Sequence, residues 1–115
     1  MSRARILSKG NARFAVEGAL DFSTVTGLAA EGDRLLRGRG PMEIDLGGVS
    51  AANSAGLALL LEWLDLAGRR GLRLRYLNPP ESLVRLAGLS NLGGVLPMIG
   101  IGAERGRGPR RPAFD

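Results

Sequence analysis

Hydrophobic and polar positions alternate most cleanly in Leu72-Arg73-Leu74-Arg75-Tyr76-Leu77. Period two predicts a strand with Leu72, Leu74 and Tyr76 on one face and the two arginines on the other. The same reading finds short strands at Arg5-Ile6-Leu7-Ser8 and at Ala12–Glu17, separated by the turn-like Lys9-Gly10-Asn11, with Gly18 ending the second. Another strand is expected at Met42-Glu43-Ile44-Asp45-Leu46, closed by Gly47-Gly48, with a loop over Val49–Asn53. Helical spacing takes over between these segments. Val25, Leu28, Ala29, Leu35 and Leu36 recur at three and four residues, behind Asp21 or Ser23 as cap and ahead of Gly38-Arg39-Gly40-Pro41. Asn78-Pro79-Pro80-Glu81 starts a further helix carrying Leu83, Leu86 and Ala87, because proline is preorganised for a first turn. Leu92–Ile101 is read as a last short strand or turn of helix. Strands alternating with helices imply an α/β domain whose sheet is covered by helices and whose later strands are parallel.

The best-patterned element is a helix over Ser54–Arg70, with Gly71 beyond its end and Arg69 and Arg70 in its last turn, where the helix dipole favours cations. At 100° per residue Leu57, Leu60, Leu61, Leu64 and Gly68 form one stripe. Leu59, Trp63 and Leu66 form a second, so the apolar arc is about 220° wide where a surface helix needs little over 100°. Either flanking helices cover the second stripe, or part of it stays exposed as a partner-binding patch anchored by tryptophan. The latter reading makes Leu59, Trp63 and Leu66 candidate contact residues. Ser54 is expected as the N-cap, its hydroxyl accepting from the first-turn amides. A phosphate there would meet free N–H groups and the positive end of the dipole, placing negative charge at the edge of the apolar patch.

Composition removes most catalytic chemistries. Histidine and cysteine are both absent from the 115 residues, which excludes imidazole bases, thiolate nucleophiles, disulfides and the usual zinc ligands. Neither common glycine-rich nucleotide loop occurs. The carboxylates Asp45, Glu62, Asp65 and Glu81 fall on different elements with no sign of convergence. The chain is therefore read as a binding module, not an enzyme, with no cofactor and no metal. The formal charge of +5 does not indicate nucleic acid. Of that total, residues 103–115 hold four arginines against two acids, a net +2, and the rest is dispersed without stacking aromatics. No stretch approaches the ~20 apolar residues of a membrane span, and no signal-peptide pattern follows the basic start. These features predict a cytoplasmic domain over residues 1–102 and a disordered Arg/Gly/Pro-rich tail over 103–115. Oligomeric state is left open.

The run Ile44-Asp45-Leu46-Gly47-Gly48-Val49-Ser50, followed by Asn53-Ser54-Ala55-Gly56-Leu57-Ala58-Leu59-Leu60-Leu61-Glu62-Trp63, resembles the STAS domain family (sulfate transporter and anti-sigma-factor antagonist). Phe14–Phe22 is similar to that family's opening segment, and Leu74–Leu83 with Leu86–Ser90 to its closing strand and helix. The resemblance spans about residues 5–100 and implies the STAS fold, a mixed sheet of about four or five strands covered by about three or four helices. Gly56–Trp63 most resembles the MlaB-type branch. That likeness implies a non-catalytic accessory subunit docking on the ATPase of a phospholipid-transport ABC transporter that maintains lipid asymmetry. It would be peripheral to the inner membrane through that partner, with Asn53, Ser54, Ala55 and Gly56 at the contact. The alternative is an anti-sigma-factor antagonist whose Ser54 is phosphorylated by a partner kinase. The family commonly has aspartate before the hydroxyl residue, where this chain has Asn53, which favours a standing contact over a switch. A nucleotide- or lipid-binding domain is a third reading that no motif supports.

Overall fold

The computed structural model describes residues 3–38, 40–89 and 98–99. Five strands and three helices follow one another as β1 (Ala4–Gly10), β2 (Arg13–Leu20), α1 (Val25–Leu35), β3 (Gly40–Ala52), α2 (Ser54–Arg69), β4 (Leu72–Leu77), α3 (Glu81–Leu89) and β5 (Met98–Ile99). The strands lie in a single sheet in sequence order. β1 runs antiparallel to β2, and the β2–β3, β3–β4 and β4–β5 pairs are parallel, so the sheet is mixed as expected. Each crossover steps to the next strand in the same direction. Right-handed connections then place all three helices on one face, where α1 packs on α2 and α2 on α3.

The core lies between this helical layer and the sheet. Val16, Leu20, Ile44, Leu46, Leu74 and Tyr76 point inward from the strands and meet Leu28, Leu57, Leu60, Trp63, Leu83 and Ala87. Between the inward residues, the other face carries ion pairs in register. Glu43 of β3 accepts from Arg13 of β2 at 2.9 Å and Arg75 of β4 at 3.0 Å, and Arg5 of β1 pairs with Glu17 at 3.1 Å. The Arg75 hydrogen bond, with Arg13 beside it, holds the Glu43 carboxyl below the usual carboxylate range.

Three strands are longer than their patterns indicate. β1 runs from Ala4 to Gly10, taking in Lys9 and Gly10 of the expected turn. β2 continues through Gly18, which adopts φ +101° on the way to Leu20. β3 extends past Gly47-Gly48 to Ala52 instead of ending there. Its pairing with β2 shifts twice: Ala15 faces Asp45 while Glu17 faces Gly48, and Gly18 faces Val49 while Ala19 faces Ala51. Each shift inserts one extra residue in β3, a bulge that breaks the period of two and hides a continuous strand from pattern reading. β4 occupies the predicted residues. Of the expected final element only Met98–Ile99 falls among the described residues, as β5; the tail over 103–115 lies outside them.

Helix α2 is the middle helix, and its buried face corrects the stripe assignment. Gly56, Leu57, Leu59, Leu60, Trp63 and Ala67 are buried, whereas Leu61, Leu64 and Leu66 are half-buried and Gly68 is exposed. The core-facing direction bisects the two stripes. Leu59 at 2% exposure and Trp63 at 1% are covered, not displayed. The cover is α1: Gly32 leaves the space the indole fills, and a Cβ there would overlap Trp63 Nε1. Arg70 ties the far ends of the two helices, donating to the Asp33 and Leu36 carbonyls at 2.8 Å and to the Asp33 carboxylate at 2.7 Å.

Candidate functional site

The start of α2 is built by Asn53. Its backbone is extended, at φ −119° and ψ −167°, and its Oδ1 accepts from the Ala55 amide at 2.9 Å. The Asn53 carbonyl accepts the first helical bond from Leu57 N at 3.1 Å. Asn53 is therefore the N-cap, which corrects the assignment of that role to Ser54. Ser54 is the first helical residue. Its side chain is exposed and makes no hydrogen bond to the described residues, leaving the hydroxyl free at the positive end of the dipole.

Two contacts hold this corner against the end of β2. Asn53 N donates to the Leu20 carbonyl at 3.1 Å. Gly56 approaches so closely that a Cβ would stand 2.6 Å from Leu20 Cβ and 2.8 Å from Leu20 O. Immediately beyond Leu20 comes the connection into α1. It is braced by Thr24, whose Oγ1 accepts from Asp21 N at 3.0 Å and donates to the Ala19 carbonyl at 2.8 Å. Asp21 Oδ1 in turn accepts from the Ser23 amide at 2.9 Å and the Ser23 hydroxyl at 2.6 Å. Neither Asp21 nor Ser23 caps α1 as expected; Thr24 occupies the N-cap position without a side-chain capping bond. The consequence lies between them. Phe22 projects from this braced turn with 76% of its surface exposed.

Beside Phe22 a shallow groove of about 320 Å³ runs between the first turns of α1 and α2. Val25 and Ala29 form one wall, Ala55 and Ala58 the other, and Leu59 reaches its floor from below. The small side chains keep it open, while Glu62 stands at the end away from the helix start. The structure thus brings Asn53, Ser54 and Ala55 together on one surface, places Gly56 beneath them as a spacer, and keeps Leu59 as groove floor. Trp63 is buried, and half-buried Leu66 does not line this groove. Phe22 takes the exposed role expected of Trp63. Its only sequence signal is an aromatic residue inside the polar cluster Asp21–Thr24, outside any apolar periodicity.

Among the described residues no group of three or more acidic side chains converges in a way that could hold a metal ion, and no helix is long and apolar enough to cross a membrane. A wider groove of about 780 Å³ lies between β1 and α1, lined by Arg5, Glu17, Thr24 and Leu28 among others. Of its charged lining residues, Arg5 pairs with Glu17 and Glu31 with Arg34, and Arg3 also lines it.

The sequence profile described as "Mlab, STAS domain" matches residues 7–99. The chain belongs to this STAS domain family. No curated protein matches the sequence. Solved structures share the fold at low identity. SpoIIAA, an anti-sigma-factor antagonist solved in its unphosphorylated form, is 17% identical, with a TM-score of 0.65 over 95% of this chain and 100% of that one. The Bacillus cell fate determinant SpoIIAA in its phosphorylated form is 16% identical, with a TM-score of 0.62 over 93% of this chain and 100% of that one. A STAS domain protein from Planctomyces limnophilus is 17% identical, with a TM-score of 0.67 over 91% of this chain and 95% of that one. At such identities the likeness establishes the fold of this STAS domain, a mixed sheet layered by helices.

Proposed function

We propose that this STAS domain is a non-catalytic accessory subunit that docks on the ATPase of a phospholipid-transport ABC transporter and supports its assembly and activity. The observation that carries this reading is the exposed Phe22 beside the uncharged helix start Asn53-Ser54-Ala55. A large aromatic held in solvent by a braced turn costs solvation that docking would recover, and such residues anchor interfaces. The match to the Mlab profile supports the choice of partner. The domain would lie in the cytoplasm, peripheral to the inner membrane through that partner. The test is co-purification with the ATPase subunit of the same organism, with turnover measured with and without the domain. Phe22→Asp and Ala55→Arg are expected to abolish both complex and stimulation while leaving the fold intact. Binding and turnover unchanged in both variants would sink the proposal.

The free hydroxyl of Ser54 favours a second reading, an anti-sigma-factor antagonist regulated by phosphorylation. Because Asn53 takes the cap, Ser54 is exposed and has no hydrogen bond among the described residues, as suits an acceptor. SpoIIAA, which shares the fold, has been solved both phosphorylated and unphosphorylated. This reading requires phosphate incorporation at Ser54 by an anti-sigma kinase. It fails if Ser54→Ala and Ser54→Asp bind partners alike.

A further inference from the structure

Among the described residues, the carboxylates of this arginine-rich surface are almost all engaged. Glu17, Glu31, Asp33, Glu43, Asp65 and Glu81 each pair with an arginine. Asp45 accepts from Gly47 N and Asn78, and Asp21 from Ser23. Among the carboxylates of the described residues Glu62 alone has neither an ion pair nor a hydrogen bond, and its side chain is exposed. The spacing explains this. Its helical neighbours at three and four residues are Ala58, Leu59, Asp65 and Leu66, so α2 offers it no cation and one like charge. Glu62 is also the charged residue that lines the groove beside Phe22.

We infer that this groove seats one amphipathic helix of the docking partner, with two aliphatic side chains between α1 and α2 beside Phe22 and a Lys or Arg of the same helix on Glu62. The inference rests on the docking reading above and specifies its contact. The dimensions fit this mode of recognition. From Ala55 to Glu62 the helix rises about 10 Å, the span of positions i, i+3 or i+4, and i+7 on a partner helix laid alongside. A volume of about 320 Å³ lies at the low end for small-molecule sites and suits a pair of side chains. Charge selects the occupant. The groove residues include no cation, and an unpaired carboxylate at the rim disfavours an anionic lipid surface while favouring a basic side chain.

The test is calorimetric titration of the full chain with the ATPase subunit at two salt concentrations. Glu62→Gln, Glu62→Arg and Phe22→Ala would each be checked for unchanged melting temperature. Phe22→Ala should weaken binding by about tenfold or more. Glu62→Arg should weaken it by a similar factor and regain affinity when one Lys or Arg of the partner's docking helix is changed to Glu. Glu62→Gln should lose most of the salt dependence. If the wild-type chain does not bind the ATPase, both the docking reading and this contact are wrong. If it binds and the Glu62 variants behave as wild type, or no charge reversal in the partner restores Glu62→Arg, the docking reading stands and this contact is overturned. A dimer of the domain that Phe22→Ala dissolves would also overturn it, by putting a second copy in the groove.

Discussion

The indole of Trp63 lies against the backbone of Gly32, in space that any side chain at position 32 would occupy. This contact joins α1 to α2 and converts an apparent surface anchor into a core residue. Glycine in a helix interior costs about 1 kcal/mol relative to alanine. Here that cost admits a fully buried tryptophan, whose side chain is among the largest in the core.

Two glycines of α1 should therefore respond in opposite directions to the same substitution. Gly32→Ala gains helix propensity but forces the indole aside, and overpacking of this kind costs about 1–3 kcal/mol. Gly27 has nothing within 4 Å of an added Cβ, so Gly27→Ala should stabilise by up to about 1 kcal/mol. Urea denaturation of both variants measures the difference; a stabilising Gly32→Ala would contradict the packing described.

Trp63 emission should be blue-shifted and poorly quenched by iodide in the native state, because the ring is 1% exposed. Its Nε1 has no hydrogen-bond partner among the described residues, so its contribution comes from buried area, not from its polar handle. Truncation to alanine should cost about 3–5 kcal/mol. Charged residues at Leu59 or Trp63 should lower the melting temperature of the isolated domain. Loss of partner binding in those variants would accordingly report unfolding.

The cap assignment separates two adjacent residues. Asn53→Ala removes the bond to Ala55 N and should cost about 1 kcal/mol, whereas Ser54→Ala should lie within about 0.5 kcal/mol of wild type. Thermal melts suffice to compare them. Equal losses would restore Ser54 to the capping role.

Tyr76 provides a pH-dependent test. Its hydroxyl donates to the Leu60 carbonyl at 2.6 Å inside the core, and burial raises its pKa well above 10. As pH climbs through the ordinary phenol range, the unfolded chain releases a proton that the folded chain keeps, so stability falls progressively above about pH 10. Tyr76→Phe should cost about 1 kcal/mol at neutral pH and flatten this alkaline slope. Because the chain has a single tyrosine, its tyrosinate absorbance gives the titration directly.

Much of the architecture was legible one segment at a time. The alternation Leu72–Leu77 placed β4, Gly71 stood just beyond the end of α2, and the 220° apolar arc marked α2 as a helix either covered by its neighbours or displaying a contact patch. The absence of histidine and cysteine by itself narrows the chemistry open to the chain. These properties are local, set by side-chain period, turn preference and the functional groups present.

What the tertiary structure alone decided was which surfaces face one another. Whether Leu59 and Trp63 are displayed or covered depends on how close α1 can come, and that depends on Gly32, 31 residues before Trp63. Whether Asn53 or Ser54 caps α2 depends on the extended backbone at 53, which its bond to Leu20 helps to hold. Phe22 is exposed because Thr24 and Asp21 brace the turn that carries it. Periodicity can mark a side chain as apolar or a hydroxyl as a possible cap. Burial and bonding are decided by neighbours distant in sequence, and here those neighbours moved the candidate interface from Trp63 to the rim formed by Phe22, Ser54 and Glu62.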